Sequence, residues 1–75
     1  MKDSYLGRIA VYDEQRGLGE VEAAGGLRYP FHCTAIHDGS RFVAVGADVE
    51  FTVIAGPLGR YEASAIRKID RRPSS

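Results

Sequence analysis

Residues able to bind a metal ion lie close together in the middle of the sequence, at His32, Cys33 and His37. Adjacent residues of a β-strand point to opposite faces, so His32 and Cys33 are not expected to share one ion. The fourth ligand of a typical structural zinc site is also missing. No serine, histidine and acidic residue are arranged as a nucleophile, a base and an orienting acid. The sequence therefore predicts no metal, no other cofactor and no enzymatic activity, and Cys33 is interpreted as a small, partly buried side chain rather than a reactive thiol.

Two glycines in the segment RGLGEV, Gly17 and Gly19, could instead hold a phosphate group. A phosphate-binding loop would continue with lysine and serine or threonine and would begin a helix, and neither feature is present. Glycines at this spacing are typical of a turn that leads into a strongly bent strand.

Composition sets the class of protein. The chain has 75 residues, a length that allows one small domain, and 44% of them are hydrophobic, which is ordinary for a globular protein. Residues 1–54 carry a net charge of −3 and residues 55–75 one of +3, so the basic end either attracts phosphate weakly or is merely solvated. The single cysteine excludes an internal disulfide bond and fits a reducing compartment. Without a signal-peptide pattern or a membrane-spanning run, a cytoplasmic protein is expected.

Short apolar alternations separated by turn residues indicate β-structure almost throughout. Five extended segments are predicted, at residues 5–12, 18–23, 27–33, 48–55 and 60–69. The segment EASAIRK has helical propensity, but a closing fifth strand is predicted there, and a helical turn is predicted near TAIHDG. Five short strands favour a small antiparallel Greek-key barrel of the OB type, formed by residues 1–70, with residues 71–75 as a disordered tail. The predicted inward residues are Ile9, Val21, Tyr29, Phe31, Val49, Phe51, Val53 and Ile66.

The order and spacing of three motifs resemble the bacterial cold-shock proteins. GRIAVYDEQRGLGEVE is similar to the family's G-x-V-K-W-F-N-x-x-K-G-F-G-F-I, and YPFHCTAI is similar to V-F-V-H-F-S-A-I. VGADVEFTVIAGPLGRYEASAI is similar to E-G-Q-x-V-x-F-x-V-x-x-G-x-x-G-x-x-A-x-x-V, with one extra residue near Arg60. The resemblance extends from about Gly7 to Ile69 and implies an all-β, five-stranded antiparallel barrel.

In that family, aromatic rings on the outward face of the first three strands stack on unpaired bases, and lysines contact phosphates. This chain departs from the pattern, with Val11 in place of the exposed tryptophan and Leu18, Glu20, Pro30 and Cys33 in place of phenylalanines. The candidate nucleic-acid-binding residues implied by the resemblance are Arg8, Tyr12, Arg16, Leu18, Arg28, Pro30, His32 and Phe42.

These residues are compatible with two functions. The first is a cold-shock-type module that binds single-stranded RNA or DNA weakly, because each lost ring removes a stacking contact worth about 1–3 kcal/mol. The second is a module for protein binding or self-association, since Val11, Leu18, Pro30 and Cys33 would form an apolar strip with charged neighbours. Glu20 favours the second function because a carboxylate on a nucleic-acid platform repels phosphate. The family resemblance favours the first function, which is the prediction adopted, with the second as the alternative.

Overall fold

Five antiparallel strands form one curved sheet in the computed structural model, which describes residues 4–37, 43–56 and 59–69. The strands run in the order β3-β2-β1-β4-β5 across the sheet. Their bounds are Tyr5–Asp13 for β1, Leu18–Ala23 for β2, Arg28–His32 for β3, Asp48–Ala55 for β4 and Tyr61–Lys68 for β5. The prediction of a strand at EASAIRK is confirmed, and a 3-10 turn at Cys33–Ala35 overlaps the start of the predicted helical turn. Within the described ranges no helix is long and apolar enough to cross a membrane.

The sheet closes into a barrel where the segment after β3 meets β5. Ile36 forms an isolated parallel bridge with Ile66, and the His37 N–H donates to the Ile66 carbonyl at 2.7 Å. This contact is the seam of the barrel, and it brings the two outermost strands of the sheet together. The predicted five-stranded barrel of the OB type is therefore confirmed.

The inward side chains fill the barrel as the period-two alternation predicts. The buried apolar residues are Ile9, Val21, Phe31, Cys33, Ile36, Val43, Val49, Phe51, Ala63 and Ile66. Six of the eight predicted core residues belong to this set, whereas Tyr29 and Val53 are half-buried and pack against it. The prediction that Cys33 belongs to an outward apolar strip is wrong. The strand ends at His32, and the 3-10 turn that follows directs Cys33 into the core, where it is 7% exposed.

Gly19 makes room for a pair of stacked aromatic rings inside one end of the barrel. Its neighbours across the sheet are Tyr12 on β1 and Phe31 on β3. The rings of Tyr12 and Phe31 lie 5.9 Å apart and are nearly parallel, at 4°. A Cβ on Gly19 would lie 2.7 Å from Phe31 Cζ and 2.5 Å from the Val11 carbonyl oxygen. The glycine is thus required by close packing, which agrees with the bent-strand interpretation of RGLGEV.

Each of two strands contains an extra residue that bends it. Ala10 is the extra residue on β1, because Ile9 pairs with Val21 while Val11 pairs with Glu20. On β5 the irregularity includes Ala65, which has φ of 50° and is the one described non-glycine residue with positive φ. Bulges of this kind increase the local twist and allow a short strand to take part in a closed barrel.

Candidate nucleic-acid interface

One side of the three-stranded meander presents the residues that replace the family's stacking rings. We call the outward side chains of Val11, Leu18, Glu20, Pro30 and His32 the β1–β3 face. The register places Glu20 between Val11 and Pro30 and places Leu18 opposite His32. Val11 and Leu18 are each 46% exposed. These five positions therefore share one surface, and His32 provides its one aromatic ring.

His32 is held in a fixed orientation at the end of β3. Its Nδ1 accepts a hydrogen bond from the Thr34 N–H at 3.2 Å, which caps the 3-10 turn. The Thr34 hydroxyl oxygen also lies 3.1 Å from Nδ1, and the ring remains exposed. Cys33 Sγ lies 3.8 Å from Nδ1, closer than strand alternation predicts, because Cys33 is already in the turn. The described residues contain no group of three potential metal ligands.

Arg28 is held by two carboxylates from the neighbouring strand. Its Nη1 lies 3.6 Å from Glu20 Oε1, and its Nη2 lies 3.6 Å from Glu22 Oε1. All three side chains are partly exposed, so each ion pair contributes about 0.2–1 kcal/mol. The cation predicted to attract phosphate is therefore largely neutralised by its own protein.

Arg16 is the more accessible cation, in the turn between β1 and β2. The carboxylate of Asp13 organises this turn, since its Oδ1 accepts from the N–H groups of Gln15 and Arg16. Arg16 Nε lies 3.8 Å from Asp13 Oδ2, and the arginine side chain is 77% exposed. A weak, solvated ion pair of this kind leaves Arg16 able to contact an anion.

The other three predicted site residues have different positions. Arg8 is exposed on β1, opposite Glu22, and forms no ion pair with another described residue. Tyr12 lies on the opposite side of β1 from Val11, half-buried, with one face of its ring against Phe31. Phe42 lies outside the described residues.

A groove beside Pro30 contains residues that the sequence analysis missed. It runs between β3 and the beginning of β5, has a volume of about 440 Å³, and is lined by Glu20, Arg28, Tyr29, Pro30, Gly59, Arg60 and Tyr61. Tyr61 is 64% exposed, more than any other described tyrosine or phenylalanine. The extra residue near Arg60, relative to the cold-shock motif, is the one sequence feature that points to this region. The contact between β3 and β5 cannot be predicted from the alternation of apolar residues within either strand.

Comparison with known proteins identifies the class of fold. No profile of a protein family matches the chain, and no curated protein matches it in sequence. Among solved structures 33 chains match. One is described as drosophila Unr CSD456, with a TM-score of 0.77 and 29% sequence identity. The similarity covers 99% of this chain but only 30% of that one.

The fold is therefore that of a cold-shock domain, as the motif order predicts. This type of OB barrel is one of the modules that recognise single-stranded RNA. The similarity accordingly suggests a nucleic-acid-binding type of module. It compares one domain with part of a longer chain, so the activity of the longer protein does not transfer with it.

Proposed function

We propose that this domain binds single-stranded RNA or DNA, weakly and without catalysis, on the β1–β3 face. The observation that carries the proposal is the cold-shock fold over 99% of the chain. Two features of the face support it further. His32 offers an oriented ring at its edge, and Arg16 offers an accessible cation in the adjoining turn.

The same face explains why the binding is expected to be weak. A stacked base contributes about 1–3 kcal/mol, and four of the five outward positions hold no aromatic ring. A complex with micromolar affinity has only about 8 kcal/mol in total, so the loss of several stacking contacts removes most of it. The remaining attraction on this face is mainly electrostatic and should decrease as salt rises.

The test is a titration of a fluorescein-labelled pyrimidine octanucleotide, followed by anisotropy at about 50 mM and about 200 mM salt. The parent protein should bind the oligonucleotide at the lower salt concentration and lose most of its affinity at the higher salt concentration. Arg16→Gln should weaken binding to pyrimidine and mixed sequences alike. The matched control is Arg67→Gln, which removes the same charge from an exposed position on β5 and should have little effect. Absence of binding at low salt would refute the proposal, and tight binding unaffected by salt would refute its electrostatic part.

A second function, binding of a protein or of another copy of the chain, is favoured by one observation. Val11 and Leu18 each expose apolar surface on the face, while Arg28 is already neutralised. Leu18→Asp should then abolish association without unfolding the barrel, because Leu18 points outward. Sedimentation velocity of the parent and the variant would show whether Leu18 mediates association. A parent that is monomeric at high protein concentration would refute self-association.

A further inference from the structure

The groove between β3 and β5 differs chemically from the β1–β3 face. Its lining combines two arginines, Arg28 and Arg60, with a single carboxylate, Glu20. It also contains Tyr61, whose ring is largely exposed. An aromatic ring together with an accessible cation is the combination used by sites that bind single strands without reading their sequence. Arg60 is that cation, because Arg28 is already paired with Glu20 and Glu22.

The position of the groove makes it continuous with the β1–β3 face. Pro30 belongs to both, since it pairs with Glu20 on one side and lines the groove on the other. Gly59, with φ of 74°, lies at the rim of the groove immediately before Arg60 and Tyr61. The volume of about 440 Å³ lies within the range of sites that hold small organic groups.

A peptide strand is a poorer occupant of this groove than a nucleotide. Addition of a peptide to a sheet edge depends on main-chain hydrogen bonds, and Pro30 has no N–H to donate. A base needs only the face of a ring, and a phosphate needs only an accessible cation. Tyr61 and Arg60 both line the groove and supply these two groups.

We propose that an unpaired base stacks on Tyr61 while the adjoining phosphate contacts Arg60, so that a bound strand leaves the β1–β3 face at Pro30 and enters this groove. The inference rests on the proposed function and assigns the main stacking contact to a residue outside the face. The protein would thereby retain a stacking site although four outward positions of the face have none.

The experiment compares three variants in the anisotropy titration at low salt. Tyr61→Ala should reduce affinity about tenfold, as expected from the loss of one stacked base. Tyr61→Phe keeps the ring and should bind within about twofold of the parent. Val45→Ala is the control, because Val45 is also 64% exposed but does not line the groove. Circular dichroism melts establish that each variant is folded.

A direct contact is tested by photochemical crosslinking. An octanucleotide that carries 5-iodouracil is irradiated with the parent protein, and the modified peptide is identified by mass spectrometry. The expected site is Tyr61. Crosslinks confined to β1–β3, or a Tyr61→Ala variant that binds as well as the parent, would overturn the inference and leave the proposed function standing. A parent that binds no single strand would refute both.

Discussion

Removal of the two carboxylates that hold Arg28 should convert a neutral surface into a basic one. In Glu20→Gln/Glu22→Gln both ion pairs, each 3.6 Å long, are lost and the guanidinium becomes free to contact a phosphate. Glutamine keeps the size of the side chain, so packing on the strand is preserved. The expected result is stronger binding of single-stranded nucleic acid.

The magnitude follows from counterion release. One additional phosphate contact changes the slope of log K against log salt by about −0.7 for a single strand. Relative to about 1 M salt, that slope gives a gain of roughly eightfold at 50 mM and roughly threefold at 200 mM. The cost to folding is small, because each exposed ion pair contributes about 0.2–1 kcal/mol. A loss of about 1 kcal/mol would lower the Tm by about 4–8 °C in a domain of this size.

The assay is the anisotropy titration of both proteins at four salt concentrations, with a thermal melt of each. The matched control is Glu14→Gln/Glu50→Gln, which makes the same change in net charge at residues that form no ion pair with Arg28. We expect the control to change affinity less than twofold. A gain that is the same at every salt concentration, or a gain equal to that of the control, would refute the assignment of Arg28 as a neutralised phosphate ligand.

Three further changes test other parts of the structure. Leu18→Phe/Glu20→Phe/Pro30→Phe places three rings on one surface and should raise affinity for a pyrimidine strand about a hundredfold in the same titration; an unchanged affinity would mean that these positions do not act together. Ala65→Gly should raise the free energy of unfolding by about 0.5 kcal/mol, because the steric strain that glycine relieves at this left-handed position exceeds the entropy that glycine adds to the unfolded chain. A denaturant melt that shows a lower stability would contradict this. Gly19→Ala should cost about 1–3 kcal/mol by overpacking the stacked rings beside it, and an unchanged melt would show that the rings adapt freely.

Alternation of apolar residues was sufficient to predict the barrel and most of its core. In β4 the alternation of apolar and polar residues predicts the buried positions Val49 and Phe51 directly, because strand side chains alternate between the two faces. Tyr29 and Val53 were placed on the correct side, but the degree of their burial depends on how the sheet closes. Closure is a long-range property that no single segment contains.

The candidate site was less predictable because its chemistry arises between segments. The ion pairs of Arg28 depend on the register between β2 and β3, and the exposure of Tyr61 depends on the approach of β5 to β3. The outward placement of Cys33 came from its match to a family phenylalanine, whereas alternation after the outward His32 already favours the core position that the structure shows. Tyr12 is a stacking candidate by resemblance alone, and alternation does not show that one face of its half-buried ring lies against Phe31.

The seam between Ile36 and Ile66 also has a consequence for the order of folding events. The β1–β2–β3 meander is joined by short turns, whereas the seam closes a long loop and carries a larger entropic cost. We therefore expect the meander to form early and β5 to dock late, so that detachment of β5 begins unfolding. A strand of nucleic acid that contacts both β3 and Tyr61 would oppose this detachment. Its binding should then lengthen the lifetime of the native state, because it adds contacts that the transition state for unfolding has already lost.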